Sequence, residues 1–115
     1  MERFALLGDP QVARAFADMV ARPAAPHTVA SLAQSAFLSR SAFMARFSEA
    51  LGQSPMQVLR DIRMRQAAAQ LRTGDVTLDQ VARNAGYASR GSFVRAFRDV
   101  YGTGPSEYRM DTRAT

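Results

Sequence analysis

Residues 81–97 read VARNAGYASRGSFVRAF, and residues 32–47 read LAQSAFLSRSAFMARF. One pattern runs through both. Leu32-Ala33, Phe43 and Phe47 in the earlier stretch answer to Val81-Ala82, Phe93 and Phe97 in the later one, and Gly52 and Pro55 answer to Gly102 and Pro105. From Phe43 and Phe93 onward the matched residues are 50 apart, and before them 49 apart. The second copy therefore carries one extra residue in its Gly86–Ser89 region. A repeat of this period marks a supersecondary unit used twice.

Outward from the repeat, every segment has helical period and recurring start signals. Asp9-Pro10 supplies an N-cap and a first-turn proline, followed by an apolar stripe of Val12, Phe16, Met19 and Val20 over about 10–22. Pro23 and Pro26 force a linker. Thr28 caps a helix of about 29–36 with Leu32, Ala33 and Ala36 inward, and Ser39 caps one of about 40–51 with Phe43, Phe47 and Leu51 inward, stopped by Gly52. Ser54-Pro55 opens a long helix, about 55–72, carrying Val58, Leu59, Ile62, Ala67 and Leu71. Thr77 and Gln80 form a capping box before a helix of about 78–85 with Leu78, Val81, Ala82 and Ala85 inward. Ser89 caps a helix of about 90–101, and Gly104-Pro105 opens a short last helix with Tyr108. No strand-like alternation occurs. The expected fold is all-α with seven helices, divided as residues 1–54, a linker helix 55–72, and residues 73–115. Each repeat is a short helix, a turn of three or four residues and a longer helix, which is a helix-turn-helix arrangement.

Composition bounds the chemistry. The 115 residues carry a net charge of +5 with no cysteine, and all 15 basic residues are arginine. Lack of cysteine excludes disulfides, thiol catalysis and cysteine-type zinc sites. His27, the one histidine, lies in the Pro23–Pro26 linker region and is expected to be solvated. No phosphate-binding glycine loop or paired-carboxylate motif points to an enzyme, and no cofactor is expected. No run of apolar residues is long enough to span a membrane, and no secretory signal opens the chain. Arginine suits bidentate contact with phosphate and guanine.

Specific residues give the repeat a family likeness. Ser39-Arg40-Ser41-Ala42-Phe43, Phe47, Gly52, Ser54-Pro55 and Leu59 in the first copy, Arg63-Met64, Ala67 and Leu71 in the long helix, and Val81-Ala82, Gly86-Tyr87, Ser92-Phe93, Arg95, Phe97, Gly102, Pro105 and Tyr108-Arg109 in the second resemble the DNA-binding domain of AraC/XylS-type transcriptional regulators over about residues 8–110. The resemblance implies a cytoplasmic, nucleoid-associated activator or repressor that binds double-stranded promoter DNA. It further implies an effector-binding or dimerisation domain ahead of this one, so the chain is either an isolated domain or a short stand-alone member, and this domain is expected to be monomeric. Two departures stand out. Phe37 occupies the first turn where the family usually has glycine, so that turn is expected to differ in shape. Ala45 stands where the family often has arginine.

At 100° per residue, the side of the 40–51 helix opposite Phe43 and Phe47 presents Ser41, Met44, Ala45 and Ser48, a small and weakly polar base-contacting face. Arg40 and Arg46 flank it, placed for phosphates or for intramolecular salt bridges. The equivalent face of the 90–101 helix presents Arg95 with Gly91 and Arg98 beside it and Arg90 near the start. Arg95 is the candidate for guanine O6 and N7. Arg90 is placed for a base or phosphate, and Arg98 for a phosphate. Ser39 and Ser89 begin helix N-termini that can meet phosphates. Arg63 is expected to brace the two units. The phenylalanines and Tyr108 are expected in the core rather than as a base-stacking platform. A 55–72 helix about 27 Å long can hold two recognition helices in successive major-groove turns. A protein partner such as RNA polymerase is the competing or additional reading. DNA-repair methyltransferases with a similar module need a nucleophilic cysteine that this chain lacks.

Overall fold

A computed structural model describes residues 8–114, so the first seven residues and Thr115 of the expected subdomains lie outside it. Seven helices and no strand occur among the described residues: α1 Pro10–Ala21, α2 Val29–Ser35, α3 Arg40–Leu51, α4 Pro55–Thr73, α5 Leu78–Asn84, α6 Arg90–Tyr101 and α7 Pro105–Ala114. They form two compact units divided after Arg60, with α4 contributing its first six residues to one and the remainder to the other. None of these helices is long and apolar enough to cross a membrane.

In the first unit Asp9 caps α1 by accepting the Val12 N–H at 3.2 Å. The buried stripe is Val12, Ala15 and Met19, while Phe16 is half-buried and Val20 is 51% exposed. The expected stripe is thus shifted, because Val20 lies one 100° step past Met19 and turns towards solvent. His27 corrects a second expectation. The loop folds back through Ala25 N–H to Arg22 O and His27 N–H to Ala25 O, so His27 is only 8% exposed and its Nε2 donates to Arg22 O at 2.8 Å. Thr28 and Ser31 make a reciprocal capping box at α2, which carries Leu32 and Ala33 inward. Phe43 and Phe47 of α3 are fully buried with ring centroids 5.4 Å apart.

In the second unit Met64, Ala67, Ala68 and Leu71 of α4 pack with Val81, Ala82, Ala85, Phe93 and Phe97. Tyr87, Tyr101 and Tyr108 complete an aromatic cluster, with Tyr108 edge-on to Phe97 at 5.3 Å. Truncating a buried phenylalanine of this kind to alanine costs about 3–5 kcal/mol. Arg109 of α7 donates to the carbonyls of Leu71 and Val76, fixing the loop between α4 and α5, and Arg72 donates to the Tyr108 hydroxyl at 2.8 Å. Only half of the expected capping box forms at α5. Thr77 accepts the Gln80 N–H, whereas the Gln80 side chain turns along the helix to Asn84 and Arg83.

The two turns correct the expectation for Phe37. Phe37 takes φ 58° and Gly86 φ 87°, both left-handed. In the first turn Phe37 N–H reaches Gln34 O and Leu38 N–H reaches Ala33 O; in the second, Gly86 N–H reaches Arg83 O and Tyr87 N–H reaches Ala82 O. The backbone pattern is the same, so the helix ending fixes the shape and Phe37 absorbs the strain. Its ring is 75% exposed, with the Arg14 guanidinium 5.2 Å above it. Gly86 has a second constraint: a Cβ there would lie 3.0 Å from the Arg63 guanidinium.

Candidate nucleic-acid interface

Helix α6 owes its outer face to its buried one. Phe93 and Phe97 anchor it, Ser89 caps it through Ser92 N–H at 3.1 Å, and Gly102 at φ 74° ends it. With those positions fixed, Arg90, Gly91, Arg95 and Arg98 are exposed. Arg95 makes no hydrogen bond or ion pair with another described residue. Gly91 has no Cβ, and one placed there would find only the Arg95 guanidinium, at 3.7 Å. A side chain able to donate two parallel N–H bonds therefore stands beside a patch of bare backbone.

The other two arginines of this helix have partners. Arg90 Nε donates to Asp79 Oδ1 at 2.8 Å, and Arg98 Nη2 lies 3.7 Å from Glu107 Oε1. The bond from Arg90 holds the Asp79 carboxyl below its ordinary range, and Asp79 in turn raises the Arg90 guanidinium. Neither pairing shows in helical periodicity, since the partners sit on different helices 11 and 9 residues apart.

In the first unit Ser41, Met44, Ala45 and Ser48 are exposed on α3, on the side away from Phe43 and Phe47. Ser39 caps this helix through Ala42 N–H at 3.2 Å. Arg40 is exposed and makes no ion pair with another described residue. Arg46 takes the salt-bridge role: its Nε and Nη2 fork onto the two Asp9 carboxylate oxygens at 2.9 and 2.7 Å. Asp9 thus caps α1 and clamps α3 at once, and the Arg46 bond holds its carboxyl below the ordinary value. A guanidinium so engaged is poorly free to reach a phosphate. Arg63 lies against Gly86 within the second unit, and burial lowers its guanidinium.

The helix-turn-helix domain family matches residues 32–111. An AraC-like transcription regulator of Streptomyces lividans is 43% identical over 103 residues, which cover 90% of this chain and 34% of that protein. The RCS-specific HTH-type transcriptional activator RclR of Escherichia coli is 34% identical over 108 residues, covering 94% and 38%. This chain spans about a third of the length of such curated relatives. Among solved structures, the DNA-binding domain of AdpA, a global transcriptional factor, in complex with a target DNA superposes with a TM-score of 0.86 at 33% identity, covering 90% of this chain and 93% of that one.

Proposed function

The chain belongs to the AraC-type family of helix-turn-helix domains, and from that premise we propose that it binds double-stranded DNA in a sequence-specific manner as the DNA-reading part of a transcriptional regulator. The observation that carries the proposal is Arg95, exposed and unpaired among the described residues, opposite the Phe93 and Phe97 anchors and next to Gly91. Arg95 reads a base edge, most naturally guanine, and Gly91 admits the close approach. Arg90 contacts a base or phosphate, and Arg98 and Arg40 contact phosphates. The α3 face of Ser41, Met44 and Ala45 makes shallow contacts such as with thymine methyls, and the α3 and α6 starts at Ser39 and Ser89 lie near the sugar-phosphate backbone. Arg46, held by Asp9, is left to structure.

In this division of labour residues 1–54 and 73–115 each supply one groove-docking unit, and helix 55–72 joins them into a reader of a bipartite site in the cytoplasm. Gene activation would add a protein contact such as RNA polymerase, and dimerisation would fall to a domain outside this chain. Selecting bound duplexes from a random pool tests the proposal. A motif with two conserved blocks, and an affinity falling steeply with salt, are the expected results. Recovery of unenriched sequence, or binding indifferent to salt, would favour a protein-binding module instead.

A further inference from the structure

The Asp79–Arg90 pair belongs to the second copy of the repeat alone. With an offset of 49 before the turn and 50 after it, Asp79 corresponds to Ala30 and Arg90 to Arg40. Ala30 has no carboxylate, and Arg40 makes no ion pair with another described residue. In the second copy the carboxylate engages Arg90 through Nε, at 2.8 Å. That leaves the Nη edge of the guanidinium, the edge that forms paired bonds to phosphate or guanine, unbonded among the described residues. Both side chains are more than half exposed, 56% and 55%. An incoming duplex can therefore reach either, and its phosphates meet a negative charge where Arg90 would otherwise swing freely towards them.

We propose that Asp79 is a specificity-determining, positioning residue that braces Arg90 through Nε for one register on DNA and repels backbone phosphate in all others. It rests on the DNA-reading role given above. On an arbitrary duplex, Asp79 withholds a cation and adds repulsion. On the preferred duplex the braced Nη edge meets its partner without first losing rotamer freedom.

The test measures affinities of the wild type, Asp79→Ala, Arg90→Ala and the double variant for the selected duplex and for a scrambled one, over a range of salt. Asp79→Ala is expected to tighten scrambled-duplex binding about threefold. It leaves the selected duplex no tighter, so the ratio between them falls. In the Arg90→Ala background the same change lowers the ratio less, because only direct repulsion is left to remove, and Asp79→Glu in the wild-type background keeps the ratio. Equal tightening on both duplexes, or an effect on the ratio undiminished in Arg90→Ala, overturns the proposal while leaving the DNA-reading role intact. A folded wild type that does not distinguish the two duplexes overturns both.

Discussion

Phe37 and Gly86 occupy the same backbone conformation for different reasons. At Phe37 the left-handed φ is imposed by the helix ending, the ring points to solvent, and the only cost is local strain. Phe37→Gly is therefore expected to be more stable than Phe37→Ala by about 1 kcal/mol, the reverse of the order inside helices, as read by thermal or denaturant unfolding. Gly86→Ala introduces the left-handed strain that Phe37 already bears and adds contact with the Arg63 guanidinium at 3.0 Å, so it is expected to destabilise by more than Phe37→Ala. A loss at Gly86 no larger than about 1 kcal/mol, the left-handed strain alone, would show that Arg63 moves aside freely. Arg95 belongs at this scale too. Arg95→Ala is expected to weaken DNA binding by about 1–3 kcal/mol, concentrated at one base pair of the selected motif. A uniform loss across all base positions would make it a phosphate contact.

Between helices, the first unit depends on a fork that ties α3 to the cap of α1. Asp9 titrates below its ordinary 3.8 because Arg46 donates to its charged form. The unfolded chain therefore takes up the Asp9 proton at higher pH than the folded one, and the stabilisation is present above that value and lost as pH falls through the lower folded one. Replacing Arg46 with methionine is expected to lower stability at neutral pH, and the gap from the wild type should close as pH drops below 3.8. A gap that stays constant into stronger acid would mean that Arg46 stabilises by packing alone. This bridge also shows where the sequence was legible. Helix boundaries rest on caps that act over three residues, such as Ser39 on Ala42 and Ser89 on Ser92, and those local signals place them to within a residue or two. Both exposed faces follow from the Phe43/Phe47 and Phe93/Phe97 anchors by angle alone. What escaped depends on contacts between elements: Asp9 meets Arg46 across 37 residues, and His27 is buried because its loop folds back on α1. Phe37 escaped for another reason. Residue type suggested an altered turn, but the backbone bonds that close α2 outweigh the preference of one side chain.

Across the chain, two copies of one unit carry different chemistry on their outer faces. Ala45 and an Arg40 without an ion-pair partner among the described residues stand in the first, and Arg95 and an Asp79-paired Arg90 in the second. Most of the sequence discrimination is expected at the half of the DNA site met by the second unit. Inserting five base pairs between the two conserved blocks turns one half away by about half a helical turn, and binding is expected to collapse. Undiminished binding to the lengthened site would mean that a single unit does the reading. The aromatic cluster of the second unit bears on how the molecule can be watched. All three tyrosines, Tyr87, Tyr101 and Tyr108, lie in it, and the chain has no tryptophan. Tyrosine emission from the unlabelled protein thus comes from one unit, whereas far-ultraviolet dichroism sums the helices of both. A single melt followed by the two signals shows whether the repeats come apart together or in turn.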